Sequence, residues 1–142
     1  MRTIEGNFVP YQEALGLQRL GINTEQVTCF ASYQEGKLHM GTFHSTHCRP
    51  EEVLAPLYQQ AFDFFREKYQ LYPEILVDRT SSPKFSYRIT EFIGNPKDLA
   101  EREWDWLASI NDGLYRDQSE SELECLIKLI EIVKEKNHEN SI

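Results

Sequence analysis

The chain has no paired set of cysteines and no CxxC spacing, its three cysteines being Cys29, Cys48 and Cys125. A secreted disulfide framework is therefore not expected. No stretch approaches the ~20 apolar residues of a membrane span, and the opening MRTIEGNFVPYQ lacks the apolar run of a signal peptide. A cytoplasmic protein without membrane contact is the expectation. Glycine is sparse, with seven scattered residues, so no glycine-rich phosphate cradle exists. Gly94-Asn95-Pro96 reads as a turn and a helix start instead.

Positive charge is also short. The formal net charge is −8, with residues 1–50 neutral, 51–100 at −2 and 101–142 at −6. Binding to a phosphate backbone needs clustered cations that release counterions, so nucleic-acid binding is not expected. An acidic final third suits a basic partner or an acidic nucleic-acid mimic; the plainer reading is a solvated helix face.

What is present is enough for one hydrophobic core. A length of 142 residues matches a single domain, read here as 1–142 with 137–142 as a frayed tail. Eight Phe, seven Tyr and two Trp supply large side chains for that core.

Residues 10–20 read as a short helix, with Pro10 at its start and Gly21 as its stop. Residues 27–43 read as a β-hairpin turning at Glu35-Gly36, which pairs Gln34 with Lys37. The face carrying Val27, Cys29, Ala31 and Tyr33 against Leu38, Met40, Thr42 and His44 is the more apolar, and is expected to meet the core. Residues 44–54 read as a connecting loop. A helix follows over 56–69, burying Leu57, Ala61, Phe64, Phe65 and Tyr69 at helical spacing, with Tyr58 and Phe62 widening the stripe.

Residues 74–92 read as a second hairpin. Ile75 and Val77 must share a face with Phe85, Tyr87 and Ile89, which requires an even index sum across the ladder; a three-residue loop near Ser81-Ser82-Pro83 provides one. Residues 95–110 fit a helix with Leu99, Glu103, Trp106, Leu107 and Ile110 on one side. The last helix begins with Ser119 and Glu122 in an S-x-x-E capping box. Leu123, Leu126, Ile127, Ile130 and Val133 form its stripe, with Cys125, Leu129 and Ile132 beside it. So wide an apolar surface suits either a central position in the domain or a homodimer through this helix. The expected fold is α+β: two hairpins in a mainly antiparallel four-stranded sheet, packed by about four helices.

Three segments carry a family likeness: NFVPYQEALGLQRLGI, APLYQQAFDFFREKYQL and ESELECLIKLIEIVKEK, together about a third of the chain. In combination they resemble a group of short, uncharacterised proteins encoded by bacteria, phages and mobile elements. That group opens on FVPYE-AL-LK-LGF, centres on AP-Y-QAF-WFREKY and closes on EEAE-ACL-KLIEIVK. Asp63-Phe64 stands where an arginine-tryptophan type pair is common there, and 96–113 looks like an insertion. The resemblance implies a phage or mobile-element origin and a single domain, and it carries over no catalytic or binding residue.

The densest chemical cluster is His39, His44, His47 and Cys48. Imidazole and thiolate are zinc ligands, and a structural site takes four of them. His39 and His44 lie an odd number of positions apart on one strand and so face opposite ways. That leaves His44, His47 and Cys48, with Cys29 as a fourth ligand, and no H-x3-H or C-x2-C pair supports them. Cys48 next to Arg49 and a histidine is the corresponding nucleophile, with no residue to orient the base. Glu101, Glu103 and Asp105 alternate with Arg102, Trp104 and Trp106. On a helix, residues two apart diverge by about 200°, so neither the acids nor the tryptophans would converge. The aromatic strands holding Phe85 and Tyr87, or Phe30 and Phe43, lack the basic setting of an RNA-stacking sheet and read as core or partner surface.

The resulting expectation is a non-enzymatic accessory protein acting by protein–protein contact, with no cofactor and with an exposed Trp104 or Trp106 as anchor. The alternatives are a small enzyme or metal protein on the His44/His47/Cys48 loop, and an acidic nucleic-acid mimic.

Overall fold

The computed structural model describes residues 5–22, 31–40, 53–78, 84–93, 103–109, 115 and 117–140. The fold is α+β. Its described helices are α1 (Tyr11–Arg19), α2 (Tyr58–Tyr69) and α3 (Gln118–Asn140), after a 3-10 turn at Glu5–Asn7. The strands are β1 (Ala31–Gln34), β2 (Lys37–Met40), β3 (Val53–Leu54), β4 (Leu71–Asp78), β5 (Lys84–Ile93) and β6 (Glu103–Ser109). They form two three-stranded sheets, β2-β1-β3 and β4-β5-β6, rather than one four-stranded sheet. Each hairpin has recruited a third strand from a segment read as loop or helix. Three α-helices, not four, occur among the described residues. The chain divides into two compact units, Met1–Phe64 and Phe65–Ile142.

In the first unit α1 ends as its glycine demands. Gly21 has φ +98°. Its N–H donates to the Gln18 carbonyl at 3.0 Å, and the Ile22 N–H to the Leu17 carbonyl at 3.1 Å. This is the Schellman pair of bonds, and the Leu17 and Ile22 side chains that flank it are both buried. The β1–β2 hairpin has the expected register, Gln34 opposite Lys37 and Tyr33 opposite Leu38. Glu35 (φ 53°) and Gly36 (φ 78°) both turn left-handed, as a two-residue turn between twisted strands requires.

The hairpin's burial differs from the alternation expected. Ala31, Ser32 and Tyr33 are all buried, while Met40 is 51% exposed. The cause is topology: β1 is the central strand, paired on its other side with β3 through Ser32–Leu54 and Tyr33–Val53, and β2 is an edge. The stretch read as a loop to residue 54 thus ends in a strand. An isolated bridge joins Phe8 to Leu57, and the Val9 N–H donates to the Pro56 carbonyl at 2.8 Å.

Helix α2 starts at Tyr58, and the Gln60 side chain accepts a 2.9 Å bond from the Leu57 N–H. A glutamine three positions in thus supplies the return half of a capping box. Tyr58, Ala61, Phe62, Phe64 and Phe65 are buried as the spacing predicts, whereas Leu57 and Tyr69, expected in the same stripe, are only half-buried. One residue, Gln70 at φ 56°, turns the chain from α2 into β4.

In the second unit β4 and β5 pair with an even index sum: Leu71–Glu91, Ile75–Tyr87 and Val77–Phe85. The expected face is therefore shared, while residues 79–83 lie outside the described set. Helix α3 packs on β5 and β4. Leu71, Tyr87 and Ile89 are buried in the same unit as Cys125, Leu126, Leu129, Ile130, Ile132 and Val133 of α3. Each fully buried Leu or Ile removes enough apolar surface to contribute ~1.5–3 kcal/mol before entropy is charged. The wide apolar surface of α3 is thus taken up within the chain. Its centre is rotated from the expected stripe, because Ile127 is 36% exposed and Cys125 and Leu129 are fully buried.

Two further details of α3 depart from expectation. The helix opens at Gln118, so Ser119 lies inside its first turn and Asp117 precedes it. The hydroxyl that bonds locally is that of Ser121, donating to the Gln118 carbonyl at 2.7 Å. The helix also continues to Asn140, past the point where fraying was expected. No described helix is long and apolar enough to cross a membrane.

The largest correction concerns 95–110. Residues 103–109 are strand β6, paired with β5, not helix. The alternation Glu-Trp-Asp-Trp satisfies a period of two as well as it satisfies one helical turn.

Candidate functional site

The strand assignment changes where the tryptophans stand. Trp104 stands opposite Phe92 and Trp106 opposite Thr90 on β5. Residues two apart on a strand share a face, so the two tryptophans belong to one side of the sheet, where a helix would have separated them. The same geometry reverses the argument about the acids. Glu103 and Asp105 fall on one face, opposite Ile93 and Glu91; Glu101 and Arg102 lie outside the described residues. The register shifts between Ile89 and Thr90. This leaves one extra residue on β6, the β-bulge that typically bends an edge strand.

On β5 the positions alternate sharply. Tyr87 and Ile89 are buried on the α3 side, whereas Arg88 and Thr90 are only half-buried. Across the ladder, Thr90 faces Tyr72 and Arg88 faces Glu74 on β4. A row Tyr72–Thr90–Trp106 therefore crosses all three strands, with the ion pair Arg88–Glu74 in the row beside it. The Arg88 Nε donates to the Glu74 carboxylate at 2.8 Å. Tyr72 is 36% exposed.

An open cavity of about 330 Å³ is lined by Arg66, Tyr72, Pro73, Glu74 and Thr90. Arg66 donates from Nη2 to the Pro73 carbonyl at 3.3 Å. Proline has no N–H to offer a further strand, so this edge of the sheet is doubly protected against pairing. Strand β6 is the opposite edge among the described residues.

Two buried groups of the second unit have strongly displaced protonation. Burial pushes the Cys125 thiol well up, with the Arg66 guanidinium opposing the rise and the Glu122 carboxylate adding to it. Burial likewise raises the Tyr87 phenol, helped by Cys125, Tyr115 and nearby glutamates. Both stay neutral and enclosed, the opposite of an activated nucleophile. On the described part of this face Tyr72 stands exposed near the Arg88–Glu74 ion pair.

The remaining sequence candidates are placed as follows. His39 is exposed on β2, opposite Ser32. His44, His47, Cys48 and Cys29 lie outside the described residues, as do Phe30, Phe43 and Gly94-Asn95-Pro96. Among the described residues no group of three or more His, Cys, Asp and Glu is placed to hold a metal ion. Tyr87 belongs to the core and Phe85 is half-buried, bridged through its backbone to Tyr115. The sequence argument missed Tyr72, Glu74, Arg88 and Thr90. Their signal was available, since they alternate with the apolar residues that fixed the hairpin's parity. No family model, no curated protein and no solved structure matches the chain.

Proposed function

We propose that this is a non-enzymatic accessory protein that acts by protein–protein contact through the β4–β6 face of its second unit, with Trp104 and Trp106 as anchors. The observation that carries this reading is the register of β6, on which both tryptophans share one face, Trp106 in line with Thr90 and the exposed Tyr72. Large aromatic residues are enriched at an interface centre, and polar or charged groups belong to its rim, where the Arg88–Glu74 pair would stand. The acidic balance of the chain favours a basic or neutral protein over nucleic acid. The resemblance of the three segments to short phage and mobile-element proteins supports an origin of that kind.

The test is a pull-down from a native host together with solution mass by light scattering, on the parent and on Trp104→Ala, Trp106→Ala and the double variant. A specific protein partner, or self-association, that each alanine weakens by roughly 30-fold or more (about 2 kcal/mol) supports the proposal. Circular dichroism must show the variants folded. A parent that is monomeric and recovers no partner, or a partner held equally by the double variant, overturns it.

A further inference from the structure

We draw no further inference here: the strongest candidate, the apolar end of the β4–β5 hairpin where Ile75, Val77 and Phe85 carry the α3-facing side of the sheet towards its exposed tip, is an unpartnered sheet face, and nothing in the structure shows what covers it.

Discussion

The phenolic hydroxyl of Tyr33 on β1 donates a 2.7 Å hydrogen bond to the carbonyl of Val9, 24 residues earlier in the chain. Tyr33 is only 9% exposed, and the edge of its ring meets Tyr11 with centroids 5.4 Å apart. Burial, then the Glu13 carboxylate, raises the phenol above its ordinary value, so it remains a donor across the neutral range. Tyr33→Phe keeps the ring contact and removes the donor, leaving a buried carbonyl unpaired. A loss of about 1–2 kcal/mol in urea-unfolding stability is expected. An unchanged midpoint would mean that water replaces the hydroxyl.

Two non-glycine residues, Glu35 and Gln70, adopt a left-handed conformation among the described residues. Gln70 at φ 56° connects α2 to β4, where an L side chain costs ~1–2 kcal/mol relative to glycine. Gln70→Gly is therefore expected to raise stability by about 1 kcal/mol, less the entropy that glycine adds to the unfolded chain. Thermal melts of the parent and variant decide this.

Gly36, at φ +78°, has nothing within 4 Å of the position a Cβ would take. Gly36→Ala thus tests backbone conformation with no clash to confuse it, and is expected to cost about 1 kcal/mol. Glu35→Asn should act the other way, since Asn-Gly is the favoured pair for this turn. A chemical-denaturation series over the three sequences separates the effects.

Lys136 of α3 forms an ion pair with Glu91 of β5, their side chains 38% and 23% exposed. The pair ties the helix to the sheet near the Glu91–Asp105 ladder position. Because both groups reach solvent, a double-mutant cycle with Lys136→Met and Glu91→Gln should return a coupling of only about 0.5 kcal/mol, smaller at high salt. A salt-independent coupling would contradict this.

Cys125 and Tyr87 set the alkaline limit. Both hold their protons more tightly in the folded chain, mainly because burial disfavours the charged form. The stability they contribute is fully present below their unfolded values, about 8.5 for a thiol and about 10 for a phenol, and is lost as pH rises past them. The urea midpoint should be level to about pH 8 and fall through pH 9–10.5. Cys125→Ala should delay the first part of that fall. Consistently, Cys125 should resist alkylation in the folded protein and react once urea exposes it, as read by mass mapping of the three thiols.

Local chemistry made much of this legible. Gly21 marked the end of α1, Glu35-Gly36 the hairpin register, and the placing of Ile75, Val77, Phe85, Tyr87 and Ile89 the parity of the second ladder. Each rests on neighbours within a few residues or on period-two alternation. The S-x-x-E pattern at Ser119 was misleading by two residues, because the helix opens at Gln118 and the N-cap position falls on Asp117. The Val53–Leu54 strand was illegible, since two residues carry no period and need β1 to define them.

The candidate surface divides along the same line. The sequence by itself determined the residue types: two tryptophans among acids, an acidic final third, and a terminal helix with more apolar surface than one face needs. Tertiary pairing decided the rest. Residues 103–109 satisfy helix and strand patterns alike, and the unpaired edge of β5, 10 to 21 residues away along the ladder, selects the strand. Hydrogen bonds from a non-local partner overrode a weak local preference, and that choice alone turned two diverging tryptophans into neighbours on one face.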